Sequence, residues 1–100
     1  MNATRWTIQS YRLLPTARGL EDFSIVVERT ESPFYVGERW AVRWGGHCLN
    51  VCGDWEHEPI PSERGDAFYG RCRFTTVSEA MAEAEVAAAT HTINGYDVYP

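Results

Sequence analysis

The sequence contains no lysine, so all nine of its basic residues are arginines. Arginine forms planar, forked hydrogen bonds, whereas lysine supplies a compact point charge. The lack of Lys beside abundant Arg, Ala, Gly and Glu is also typical of a GC-rich genome. With 14 acidic residues the net charge is −5, which disfavours indiscriminate binding to the phosphates of nucleic acids.

Cysteine is scarce, and its number is odd. Three cysteines in an otherwise ordinary composition indicate a reducing compartment and no disulfide framework. No apolar run approaches the length that spans a bilayer, and the first residues lack the apolar region of a secretory signal. We therefore expect a cytoplasmic protein with no membrane partner.

Sequence motifs of nucleophilic catalysis are also missing. The chain has neither a Gly-x-Ser-x-Gly pattern nor a glycine-rich loop that would cradle phosphate. We therefore expect no enzymatic activity and no cofactor.

Apolar and aromatic residues, by contrast, are plentiful. They make up 44% and 13% of the 100 residues, which suits one domain, residues 1–100, with an ordinary core.

Alternating apolar residues predict several strands. The third is the clearest, because Trp40, Val42 and Trp44 fall on one side of Arg39–Trp44 and two arginines on the other. Gly45-Gly46 is interpreted as a bulge or a bend in this strand. The other predicted strands cover residues 5–14, 23–30, 47–50, a short stretch around Trp55, and 71–74, while residues 59–66 are expected to be irregular.

A helix is predicted at residues 77–89. Thr76 and Glu79 fit a capping box, and a stripe of mostly alanine falls at helical spacing, with Val77 and Met81 included. Asn94-Gly95 predicts a small hairpin after the helix.

Together these elements predict an α+β fold. A three- to five-stranded antiparallel sheet would carry one C-terminal α-helix packed on one face, a two-layer sandwich. The opposite sheet face would then be open and would present arginines.

This arginine-bearing face is the strongest candidate for function. The guanidinium groups are suited to phosphates, or to carboxylates on a partner protein. Alternatively, they pair with the acidic residues of the chain itself. The predicted partner-binding residues are Arg39, Arg43, Arg64, Arg71 and Arg73.

A second candidate is a loose set of metal-ligand residue types. His47, Cys48, Cys52 and His57 resemble zinc ligands, but they do not form two close pairs, and we expect no metal. The neighbouring Asp54, Glu56 and Glu58 suit a hard cation or acid–base catalysis, and are more typical of a solvated hairpin edge.

Two resemblances to known families are visible. The stretches Trp40-Ala41-Val42-Arg43, Cys48-Leu49-Asn50, Gly53-x-Trp55-x-x-Glu58-Pro59-x-Pro61-Ser62 and Arg73-Phe74 leading into Ser78-Glu79-Ala80 resemble small uncharacterised proteins encoded by actinobacteriophages. This resemblance spans residues 39–88. It implies a phage source and transfers no catalytic residue.

The second resemblance is to the arm-binding domains of phage integrases, in which strands precede a helix. It is carried by Arg73-Phe74-Thr75-Thr76-x-x-Glu79-Ala80 and the alanine-rich helix. It implies DNA binding through the open sheet face, from which this chain departs by its negative charge and its lack of Lys.

The expected function is therefore a non-enzymatic interaction module, a phage accessory protein that binds and modulates a host protein. The alternatives are a small DNA-binding domain that uses the same face, a metal-binding domain and a minor virion component.

Overall fold

Five strands form one antiparallel sheet. The computed structural model describes residues 9–13, 24–31, 37–93, 96, 97 and 99. The strands are β1 (Ser10–Leu13), β2 (Ile25–Thr30), β3 (Arg39–Trp44), β4 (His47–Leu49) and β5 (Trp55–His57). They lie in the order β1-β2-β3-β4-β5, so that each strand pairs with its neighbours in the chain and β5 forms one edge.

Two α-helices and a two-stranded hairpin follow the sheet. A short 3₁₀ helix (Pro61–Glu63) precedes α1 (Asp66–Cys72) and α2 (Val77–Ala88), and β6 (Thr92–Ile93) pairs with β7 (Tyr96–Asp97). The predicted α+β class is confirmed. Neither helix in the described part of the chain has the length and apolar character needed to cross a membrane.

Helix α2 covers one face of the sheet, as the sequence predicts. The Thr76 hydroxyl accepts a hydrogen bond from the Glu79 backbone N–H at 3.1 Å, which caps the first turn. The buried side chains of α2 are all alanines, at positions 80, 84, 87 and 88, so the helix approaches β2 and β3 closely. Met81, predicted on the buried stripe, is 38% exposed instead.

Helix α1 replaces the strand predicted at residues 71–74, and this prediction is wrong. Phe68, Tyr69 and Cys72 fall at i, i+1 and i+4 and are buried together on one side of the helix. The chain becomes extended only at Arg73, and Phe74 then forms two backbone hydrogen bonds of 2.8 Å with Trp40. Phe74 thus continues the sheet where the short β4 stops.

The glycine pair at positions 45 and 46 is a hairpin turn, and its interpretation as a bulge or a bend is wrong. Trp44 pairs directly with His47, so the two glycines form the entire connection between β3 and β4. Gly45 has a φ of 55°, in the left-handed region that glycine adopts without strain.

Several predictions concern residues outside the described part. These are half of the first strand (residues 5–8 and 14), the turn at 15–19, the start of the second strand at 23, the loop at 32–36 and the Asn94-Gly95 turn.

The core lies on both faces of the sheet. Adjacent strand residues point to opposite faces. Leu49 belongs to the main cluster beneath α2, which also contains Ile25, Trp40 and Phe74. Its neighbour Cys48 lies in a second cluster with Phe68, Tyr69 and Cys72 of α1. The predicted packing of α2 on one face of an antiparallel sheet is therefore confirmed, whereas the opposite face, expected to be open, is contacted by α1.

Candidate functional site: arginine cluster and aromatic edge

The predicted alternation along β3 is observed. Val42 lies beneath α2, whereas Ala41 and Arg43 lie on the α1 face. The register continues this face across the sheet, because Arg43 pairs with Cys48 and Cys48 pairs with Glu56. This placement brings the arginines together with carboxylates of the same chain.

Three arginines converge on Glu58, which follows β5. Arg43 Nε lies 3.2 Å from Oε1 and 2.9 Å from Oε2 of the Glu58 carboxylate. Arg73 Nη2 donates to Oε1 at 2.9 Å, and Arg64 Nη2 donates to Oε2 at 3.4 Å. Arg43 also donates to Glu28 from Nη1. We call these residues the Glu58 cluster: Glu28, Arg43, Glu58, Arg64 and Arg73.

Arg73 is buried, whereas the sequence analysis placed it on an outward face. Its side chain has 0% exposure, and its guanidinium carbon lies 5.1 Å from the Phe68 ring centroid and 5.6 Å from that of Tyr69. A buried cation needs a partner, and Glu58 supplies it. Among the described residues, the Arg73 Nε–H has no hydrogen-bond acceptor.

Arg71 and Arg39 lie outside the Glu58 cluster. Arg71 forms a forked ion pair with Glu56 on β5, with three nitrogen–oxygen distances of 2.9 to 3.0 Å, and its side chain is 47% exposed. Arg39 is half-buried and donates to the Glu38 carbonyl at 2.8 Å. Arg43, Arg64, Arg71 and Arg73 are thus engaged by the chain's own carboxylates, and partner binding by the five arginines stays a prediction.

The arginines change the acidity of both carboxylates. Hydrogen bonds from Arg71 and then from Asn50 lower the pKa of Glu56 from 4.5 to about 2. Burial acts to raise the pKa of Glu58, but the charges and hydrogen bonds of Arg43 and Arg73 hold it below its ordinary value. Both carboxylates are therefore ionised at neutral pH, which makes them poor proton donors.

Asn50 positions β5 beside β4. Its Oδ1 accepts hydrogen bonds from the backbone N–H groups of Cys52 at 2.9 Å and Asp54 at 3.0 Å, and its Nδ2 donates to Glu56 at 2.9 Å. Gly53 completes this tight turn with a φ of 89°. An Asn that organises its own turn in this way is a recognisable sequence signal, which the sequence analysis did not use.

The structure divides the four candidate metal ligands. His47 and His57 are direct partners across β4 and β5, but Cys48 is buried on the opposite face and Cys52 is exposed in the turn. Among the described residues, no group of three or more His, Cys, Asp or Glu side chains is arranged to hold a metal ion.

Two of the cysteines form a buried pair. Cys48 and Cys72 are both buried in the second core cluster. Burial raises the pKa of Cys48, and burial followed by the proximity of Cys48 raises the pKa of Cys72 to about 12. Both thiols are therefore protonated and weak nucleophiles at neutral pH.

Aromatic side chains gather at the α2 face of β4 and β5. The Trp44 ring stacks on His47 at 5.1 Å and lies edge-on to Trp55 at 5.8 Å, while the centroids of His47 and His57 are 6.0 Å apart. His57 is exposed and the other three are half-buried. We call these four residues the aromatic edge: Trp44, His47, Trp55 and His57.

The aromatic edge includes an unpaired strand edge. The bonds Asn50 N–H to Asp54 O and Glu58 N–H to Gly46 O, both 2.9 Å, show that Asp54, Glu56 and Glu58 direct their backbone groups toward β4. Trp55 and His57 therefore direct theirs away from the sheet. No described residue pairs with those outward groups.

Comparison of the chain with protein-family models, curated proteins and solved structures finds no match in any of the three.

Proposed function

We propose that this protein is a non-enzymatic interaction module that binds another protein through the aromatic edge. The observation that supports this most is the edge of β5, where backbone groups that no described residue pairs with lie beside exposed and half-buried aromatic side chains. Tryptophan is favoured at the centres of protein interfaces because it buries a large area with few torsions to fix.

The proposed occupant is an extended segment of the partner that adds to the sheet beside β5. An open edge offers hydrogen bonds to any extended backbone, and the alternating side chains of the added strand would then contact Trp55 and His57 on the α2 face. Because the chain resembles small actinobacteriophage proteins, a host-cell protein is the proposed partner.

One arginine contributes at the rim of this interface. Arg71 is 47% exposed and is held beside β5 by Glu56 on the α1 face. Its guanidinium group is suited to a carboxylate on the incoming strand. The more buried arginines Arg43, Arg64 and Arg73 support the sheet and α1 from within the Glu58 cluster.

A proline substitution tests this proposal directly. His57→Pro removes an outward N–H and leaves the ladder with β4 intact, because Glu56 and Glu58 make those bonds. The matched control His57→Ala removes the imidazole and keeps the N–H. Tagged wild type should capture a protein from an actinobacterial lysate. Once purified, that protein should bind wild type, bind His57→Ala more weakly because the imidazole contact is lost, and fail to bind His57→Pro.

Two results would overturn the proposal. One is the failure of wild type to bind any captured protein when both are purified. The other is equal binding by His57→Pro and wild type, after circular dichroism has shown that both are folded.

A further inference from the structure

We propose that His47 and His57 form a two-imidazole site for a divalent transition-metal ion, with Cu²⁺ bound more tightly than Ni²⁺ or Zn²⁺. Imidazole nitrogen suits these ions, whereas Mg²⁺ and Ca²⁺ prefer oxygen ligands. The two histidines are direct partners on adjacent antiparallel strands, and their ring centroids lie 6.0 Å apart. The site shares both histidines with the aromatic edge but needs no partner protein to bind the ion.

The backbone places this pair at the closer type of cross-strand position. Hydrogen-bonded positions flank it, with Glu58 N–H bonded to Gly46 O and Asn50 N–H bonded to Asp54 O. His47 and His57 therefore occupy a non-hydrogen-bonded position, where facing side chains lie nearest to each other. With metal–imidazole bonds of about 2.0–2.1 Å, two ring centroids around one ion lie roughly 4.5 Å apart at a right angle and roughly 5.2 Å apart at a tetrahedral angle, so the two rings must approach by about 1 Å to share an ion. The observed rings are 6.0 Å apart and nearly perpendicular, at 87°.

The location leaves the ion accessible. β5 is an edge strand and His57 is exposed, so water can occupy the remaining coordination positions. Cys48 contributes nothing because its thiol is buried on the opposite face. With two protein ligands, the site binds an exchangeable ion rather than a structural one.

Trp44 provides a built-in reporter. Its ring stacks on His47 with centroids 5.1 Å apart and an interplanar angle of 17°. A Cu²⁺ ion on that imidazole would quench the tryptophan fluorescence. Ni²⁺ bound to the folded state alone would raise the melting temperature.

The titration uses the full chain carrying Cys52→Ser, which removes the exposed thiol as a competing ligand. We expect saturable quenching by CuCl₂ at one ion per chain, reversal by EDTA, and a higher melting temperature in NiCl₂. His47→Gln and His57→Gln should each abolish the saturable phase. The control Glu56→Gln, on the other face of β5, should retain it.

Three results would overturn the site: no saturable quenching in the Cys52→Ser background, quenching that persists in both histidine variants, or quenching lost equally in Glu56→Gln. Circular dichroism of each variant separates the loss of the site from the loss of the fold.

Discussion

At the residue scale, four arginines of this protein, Arg43, Arg64, Arg71 and Arg73, are neutralised by particular carboxylates of the same chain. Each guanidinium group has a fixed planar geometry, and Arg71 matches Glu56 with a fork of short bonds. Arg43 is shared between Glu58 and Glu28. The alternative interpretation of the sequence is that the arginines pair with acidic residues of the same chain. It therefore holds for four of the five predicted partner-binding arginines.

The pairing of Glu56 predicts how stability depends on pH. The unfolded carboxyl titrates near 4.5 and the folded one near 2, so folding favours the ionised form. This stabilisation is fully present above pH 4.5 and is lost as the pH falls toward 2. Urea unfolding measured across this range should show a falling free energy of unfolding, with a shallower fall for Glu56→Gln.

Glu85→Gln, on the exposed surface of α2, is the matched control. Its free energy of unfolding should fall with pH as steeply as that of the wild type. If the free energy of unfolding of Glu56→Gln fell as steeply with pH as that of the wild type, the lowered pKa of Glu56 would not be the source of the pH dependence.

At the scale of the elements, sequence reasoning succeeded where the signals are local. The alternation in β3 and the cap and alanine stripe of α2 each lie within a few residues, and both elements have nearly the predicted bounds. Helix α1 has seven residues, contains Gly70 and has no side-chain cap, so its local signal is weak. Its formation depends on packing against Cys48, which is distant in the sequence.

The same contrast between local signals and long-range contacts explains which positions of the site residues the sequence predicts. The burial of Arg73 depends on Glu58, fifteen residues earlier, and no short-range pattern encodes that contact. The pairing of His47 with His57 follows from the Asn50 turn between them. The sequence predicts strands at residues 47–50 and around Trp55, but no local signal gives the register that makes the two histidines direct partners.

The cap of α2 supports a prediction at this scale. Thr76→Ala removes the acceptor of the Glu79 N–H, and loss of such a cap costs about 1 kcal/mol. Thr75→Ala is the matched control, because the Thr75 hydroxyl only donates to the exposed Glu79 carboxylate at 3.2 Å. Chemical denaturation should show a clear decrease in the free energy of unfolding for Thr76→Ala and a smaller decrease for Thr75→Ala. Equal losses would contradict the assignment of the cap to Thr76.

At the scale of the whole molecule, the Glu58 cluster connects parts that are distant in sequence. Arg43 comes from β3, Glu58 follows β5, Arg64 precedes α1, and Arg73 follows it. Glu58 thus links the α1 face of the sheet to both ends of α1. The charges on this face hold the layers together, which is why the surface proposed for a partner lies at the edge of β5 instead.

This arrangement predicts unequal effects of removing the two buried members of the cluster. Glu58→Gln leaves Arg73 buried without a counter-charge, and breaking a buried pair in this way costs about 3–5 kcal/mol. Arg73→Met leaves Glu58 paired with Arg43 and Arg64, fills most of the same volume and removes the unpartnered Nε–H. Its cost should therefore be about 1 kcal/mol.

The free energies of unfolding of both variants, measured in urea at neutral pH, test this asymmetry. Glu28→Gln is the control, since Glu28 is 44% exposed and pairs only with Arg43 among the cluster members. Exposed pairs contribute less than about 1 kcal/mol. If Arg73→Met destabilised the protein as much as Glu58→Gln, the guanidinium itself would be the main source of stability, through its contacts with the Phe68 and Tyr69 rings. The smaller loss expected for Arg73→Met instead identifies Glu58 as the centre of the cluster, because three cations depend on its charge and it depends on no single one of them.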